Sequence, residues 1–215
     1  MDYTQLKGFN YQPSWGSTGY EIWRNFDGER MGHELALGKA YFPGMNAIRL
    51  WLSHDAWLRN PGQFAAAFDA ALGIADRYGV SVMPVLFNRW HCAILDYGGI
   101  YIDHFLPQAS WVQGKDAYEK TLDDYVSFAG SAGKPLIATE TCWGATDDGK
   151  RVEIIRYTLA QLKKRKIGWL VYLLHHSLIA DAHRPEFGPL SSPGNLAFIE
   201  ADGRLRPGHG VFNED

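Results

Sequence analysis

The chain has 215 residues, which is enough to bury the core of one large domain. Its hydrophobic fraction of 46% and charged fraction of 21% are those of an ordinary globular protein and exclude a disordered one. The formal net charge of -3 gives no electrostatic reason to expect nucleic acid or an anionic membrane as a partner.

Neither a membrane span nor an export leader is visible in the sequence. There is no apolar run of about 18 residues, and no basic and then apolar segment stands at the N-terminus. The two cysteines are too few for a disulfide framework. We therefore expect the cytoplasm as the default location.

Short apolar runs alternate along the chain with segments whose apolar residues recur every three or four positions. In chain order they predict a strand at 6–12, a helix at 32–41, a strand at 47–53, a helix at 63–78, a strand at 81–88, a helix at 116–130, a strand at 135–141, a helix at 152–166 and a strand at 168–175. Repeated strand and helix pairs of this kind favour an α/β fold with a parallel sheet.

Two long segments, 89–114 and 177–193, follow the carboxyl ends of predicted strands. Parallel α/β folds bind ligands at that end, so these segments are the expected walls of a site. Aromatic residues make up 14% of the chain and include 8 Trp. Such rings either fill a core or stack on the apolar faces of sugars in a cleft, and core filling is the default for any one of them.

The strongest local signal is KPLIATETCWG, residues 134–144, an apolar strand that ends in Glu140. A carboxylate at the carboxyl end of a barrel strand faces the ligand, and a buried unpaired one would be costly elsewhere. The alternative is a structural Glu that pairs with an Arg to close the barrel mouth.

Together with GFNYQPS at 8–14, AIRLWLS at 47–53, GWLVYLLHHS at 168–177 and EADGRLRPGH at 200–209, this segment resembles the retaining glycoside hydrolases of the cellulase and mannanase superfamily. Those enzymes are eight-stranded barrels with two catalytic glutamates. The resemblance implies that residues 1–215 form a single shortened TIM-type (β/α) barrel with about five βα units. It also implies that Glu140 is the nucleophile and that Arg49 holds it ionised.

Five residues near the strand ends are the candidates that would line a sugar subsite: Asn88, Trp90, His91, Trp143 and His176. We expect no cofactor and no metal site. His175, His176 and His183 cluster around Asp181, but their spacing matches no metal signature. Hydrogen bonding to a substrate or packing at the barrel mouth fits these histidines better.

The family's general acid/base is missing from the sequence. It belongs to an Asn-Glu pair that ends the fourth barrel strand, and here the only such pair is Asn213-Glu214 at the terminus. Strands four to six of the family have no counterpart. A retaining mechanism needs two carboxyl groups about 5 to 5.5 Å apart. Asp96, Asp103 or Glu186 could replace the acid, although each fits a solvated loop charge better.

Three hypotheses follow. The chain is a glycoside hydrolase that acts on β-linked glycans, a carbohydrate-binding remnant that has lost the acid, or an engineered or naturally truncated barrel. In each case five strands leave two unpaired edges, because a closed, side-chain-filled barrel takes about eight. We therefore expect a homodimer, the commonest closed assembly.

Overall fold

The computed structural model describes residues 2–86, 115–142, 147–178 and 196–214. Within them, one sheet contains five strands: β1 (Lys7–Tyr11), β2 (Ala47–Trp51), β3 (Ser81–Val85), β4 (Ile137–Thr141) and β5 (Gly168–Val171). The order is β3-β2-β1-β5-β4, and every neighbouring pair is parallel. The first and last strands are therefore neighbours, as in a closed (β/α) barrel. The predicted shortened TIM-type barrel is confirmed as a half-barrel.

In the described ranges six α-helices accompany the strands: α1 (Gly19–Arg24), α2 (Gly28–Tyr41), α3 (His54–Arg59), α4 (Pro61–Arg77), α5 (Lys115–Ser131) and α6 (Asp148–Lys164), with 3-10 turns at Tyr3–Gln5 and His209–Asn213. The four predicted helices are confirmed. Side-chain caps set three of their starts, because Asp27, Asn60 and Asp147 each accept a hydrogen bond from an amide three residues later. The six-residue helices α1 and α3 are too short for their periodicity to be detected.

The last strand ends earlier than its apolar run. Residues 168–175 were expected to form one strand, but β5 stops at Val171. Tyr172 and Leu174 still donate to β4 and β1, while Leu173 between them pairs with a new segment. The amide of Leu173 donates to Leu196, and the amide of Phe198 donates back to Leu173. The buried guanidinium of Arg151 on α6 holds this junction, since it donates to the carbonyls of Tyr172, Leu196 and Ala197.

The sheet has two different faces. The face toward the helices carries the large core, to which β1 contributes Phe9 and Tyr11. The opposite, concave face carries a small apolar cluster of Leu6, Ala47 and Leu170. Gly8 also lies there, where an added Cβ would stand 1.9 Å from the carbonyl oxygen of Ala47, so only glycine fits. Small residues on this face leave room for polar side chains nearer the carboxyl ends.

The two edge strands, β3 and β4, each pair with a single strand among the described residues. Both are partly exposed, whereas β5, which lies between β1 and β4, is wholly buried. The homodimer stays a prediction. Sedimentation equilibrium at low micromolar concentration is expected to give about twice the 24.2 kDa of one chain, because unpaired edges recruit partners. A stable mass of one chain would contradict it. In the described part of the chain no helix is long and apolar enough to cross a membrane.

Candidate active site

An ion pair spans the concave face of the sheet. Arg49 on β2 donates from Nη1 to Oε2 of Glu140 on β4 over 2.8 Å. Strands β1 and β5 lie between these two strands, so the arginine reaches across half of the sheet. The side chain of Arg49 is 18% exposed and that of Glu140 is 40% exposed. The expected contact between Glu140 and Arg49 is thus present, while their catalytic roles remain predictions.

A β-bulge in β4 turns Glu140 toward this face. Ala138 pairs with Trp169, and Thr141 pairs with Val171. Between these two pairs β4 advances by three residues and β5 by two, so β4 contains one extra residue. Strict alternation from Ala138, which packs on the helix-side core, would point Glu140 toward the helices. The extra residue reverses this, because it moves Thr141 to the helix side and Glu140 to the cleft.

Asn10 on β1 connects the two halves of the pair. Its Oδ1 accepts from Nη1 of Arg49 over 3.0 Å. Its Nδ2 donates to the carbonyl oxygens of Leu170, at 3.0 Å, and Thr139, at 3.2 Å. Asn10 is fully buried. Asn10 was not among the predicted site residues. An amide within an apolar strand nevertheless indicates a buried polar group that needs hydrogen-bond partners.

Two aromatic rings lie beside the pair. The guanidinium carbon of Arg49 is 4.5 Å from the ring centre of Trp51, which is within cation–π range. Trp51 in turn meets Tyr172 edge to face, with 6.4 Å between ring centres. The amide of Tyr172 donates to the carbonyl of Thr141, which places Tyr172 next to the end of β4. Tyr172 is partly exposed there. Both rings lie within apolar runs of the sequence, where they cannot be distinguished from core residues.

Four of the five predicted sugar-lining residues lie outside the described residues: Asn88, Trp90, His91 and Trp143. The fifth, His176, is half-buried just after β5, and its amide donates to Ile199 over 2.8 Å. It therefore stands at the same end of the sheet as Glu140.

The candidates for a second carboxyl group, Asp96, Asp103 and Glu186, also lie outside the described residues, as do Asp181 and His183. The cleft residues around Glu140 that are described, Asn10, Arg49, Trp51 and Tyr172, carry no carboxyl group. In the described ranges no three His, Cys, Asp or Glu side chains are arranged to hold a metal ion.

Cys142 lies two residues after Glu140, but its side chain is buried in the large core on the helix side of the sheet. It is a buried free thiol, and its φ of 61° lets the chain change direction sharply after β4. Burial raises the pKa of this thiol to about 12, so it stays protonated at neutral pH. A buried, protonated thiol is a poor nucleophile.

No protein-family model matches the chain, and no curated protein matches it. Among solved structures, it is similar to the GH5_18 protein from Streptomyces cattleya, determined in complex with GlcNAc. The TM-score is 0.60 and the sequence identity 13%, and the match covers 97% of this chain and 79% of the other. At that identity the likeness concerns the fold. The chain thus has a shortened TIM-type (β/α)-barrel fold.

Proposed function

We propose that the chain is a retaining glycoside hydrolase acting on β-linked glycans, with Glu140 as its nucleophile. The observation that carries the proposal is the pair between Arg49 and Glu140 at the carboxyl ends of parallel strands, where barrel enzymes keep their catalytic groups. Arg49 occupies Oε2, while Oε1 accepts no hydrogen bond from the described residues. A partly exposed carboxylate with one anchored oxygen suits attack by the other.

In the proposed reaction, Oε1 attacks the anomeric carbon from the face opposite the leaving oxygen. The bond from the anomeric carbon to that oxygen breaks as the glycosyl ester of Glu140 forms. Water then attacks the same carbon and loses a proton to the solvent, which releases the carboxylate and restores the original stereochemistry. The cationic Arg49 holds Oε2 by a charge-assisted hydrogen bond at the start and again at the end of the cycle.

The leaving oxygen needs a proton, and the described cleft residues offer no carboxylic acid to supply it. General acid catalysis contributes about 10² to 10⁴-fold to such steps. We therefore propose that turnover is weak for ordinary glycans and least impaired for aryl glycosides whose phenolate leaves without protonation. The partly exposed ring of Tyr172 supports a sugar subsite at this position, since pyranose C–H faces stack on aromatic rings.

The proposal is tested by trapping the covalent intermediate. A panel of 2,4-dinitrophenyl 2-deoxy-2-fluoro-β-glycosides of glucose and mannose is suitable, because dinitrophenolate needs no acid. The fluorine slows both steps, so that the glycosyl ester accumulates. The GlcNAc named with the structural neighbour adds 5-fluoro-β-N-acetylglucosaminyl fluoride to the panel.

Mass spectrometry is expected to show one added sugar per chain, with the modified peptide containing Glu140. Glu140→Gln, nearly isosteric but a poor nucleophile, is expected to fold and to remain unlabelled. A label on another residue would contradict the assignment. Sugar binding without any label across the whole panel would instead favour the carbohydrate-binding remnant.

A further inference from the structure

We infer that Asn10 is a positioning residue that sets the geometry of the pair between Arg49 and Glu140. Asn10 lies in register with Arg49 on the neighbouring strand and is fully buried. Its amide orientation is unambiguous, because arginine only donates hydrogen bonds and backbone carbonyls only accept them. Oδ1 must therefore face Arg49 and Nδ2 must face the carbonyls.

The first half of this role concerns Arg49. The same guanidinium nitrogen, Nη1, donates to Oδ1 of Asn10 at 3.0 Å and to Oε2 of Glu140 at 2.8 Å. The side chain of Arg49 is long and has many rotamers. Two acceptors on the same nitrogen restrict these rotamers more than Glu140 alone would. Asn10 thereby limits where the guanidinium can meet the carboxylate.

The second half concerns the bulge that presents Glu140. Thr139 lies inside the irregular stretch between Ala138 and Thr141, where the hydrogen-bond ladder to β5 is interrupted. Nδ2 of Asn10 donates to the carbonyl of Thr139 and to that of Leu170 on β5. One side chain on β1 thus ties the bulge to the sheet next to the residue that it turns.

The two halves make Asn10 a link between both members of the pair. The labelling experiments on Asn10 rest on the proposed function, whereas its hydrogen bonds to Arg49 and Thr139 do not. Asn10→Ala is expected to slow fluorosugar labelling of Glu140 by about 10 to 100-fold with little change in probe affinity, because small displacements of a reacting group have effects of this size. Asn10→Asp has the same shape and lacks the amide donors, and we expect it to slow labelling as well.

Asn46 provides a matched control. It also bridges two backbone segments, since its Nδ2 donates to Gln5 and its Oδ1 accepts from the amide of Lys7. It lies at the amino ends of the strands, away from Glu140. Asn46→Ala is therefore expected to lower stability without slowing labelling. Equal slowing by Asn46→Ala and Asn10→Ala would overturn the inference.

A double-mutant cycle tests Asn10 without any activity. The unfolding equilibrium constants of Asn10→Ala, Glu140→Gln and the double variant are measured in urea. A positioning role predicts a coupling of about 5-fold or more between the two positions, whereas a merely structural role predicts additive effects. Additivity would overturn the inference. If the two positions are coupled but the wild-type protein takes no label, the result would support the inference about Asn10 and reject the proposed function.

Discussion

Glu140→Ala is expected to lower the hydrolysis of 2,4-dinitrophenyl β-glycosides by about 10⁴-fold or more, because the variant has no group to form the glycosyl ester. Added azide is expected to restore part of the rate. A small anion can occupy the space that the carboxylate leaves and is held there by the cationic Arg49. Azide attacks once, from the side of the nucleophile, so the product should be an α-glycosyl azide.

Absorbance of the released dinitrophenolate gives the rates, and NMR of the anomeric proton gives the product configuration. Glu153→Ala is the control, since Glu153 pairs with Lys150 on the exposed surface of α6 and should leave the rate unchanged. Activity of Glu140→Ala within tenfold of the wild type, or a β-glycosyl azide as product, would refute the role of Glu140.

Acid is expected to destabilise the protein through His209. This residue is fully buried in the last 3-10 turn, its Nδ1 lies 2.9 Å from the carbonyl of Pro207, and its Nε2 has no partner among the described residues. Burial lowers the pKa of His209 from 6.5 to about 4. Between these values the unfolded chain binds a proton that the folded chain excludes, so stability falls as the pH decreases from 6.5 and levels off near 4.

The lost stability amounts to at most about 3 kcal/mol, since each pKa unit corresponds to about 1.4 kcal/mol. Urea unfolding at about pH 7 and about pH 4.5 measures it. His209→Gln removes the imidazole and is expected to flatten this part of the profile, whereas His33→Gln, at an exposed position, should not. Parallel pH profiles for His209→Gln and the wild type would show that burial of His209 has no such effect.

The course of the chain could be predicted from sequence because the pattern is regular. Apolar runs alternate with amphipathic segments, and Glu140 was found because a carboxylate ends such a run. The bulge could not be predicted, since periodicity counts residues and does not show where two strands lose register. Counting from Ala138 alone would have placed Glu140 on the wrong face.

Asn10 and Tyr172 escaped prediction for a different reason. Each lies inside a run that is otherwise apolar, and the hydrogen bonds or ring contacts that define its role involve residues distant in sequence. Tyr172 also lies where the apolar run stops being a regular strand, because the next residue, Leu173, pairs with the segment at 196–198, which composition does not reveal. Contacts between strands that are distant in sequence depend on the tertiary fold and cannot be identified from a local pattern.

The central pairing of β1 with β5 has a consequence for synthesis of the chain. Asn10 and Leu170 are 160 residues apart, and at about 5 to 20 residues per second a ribosome needs about 8 to 30 s to add that many. During this interval β1 has a free edge on one side, exposed to chaperones and to other nascent chains. Its partner β5 is the last of the five described strands to emerge. Such non-local pairing also slows folding, so the site should assemble only after β5 has been synthesised.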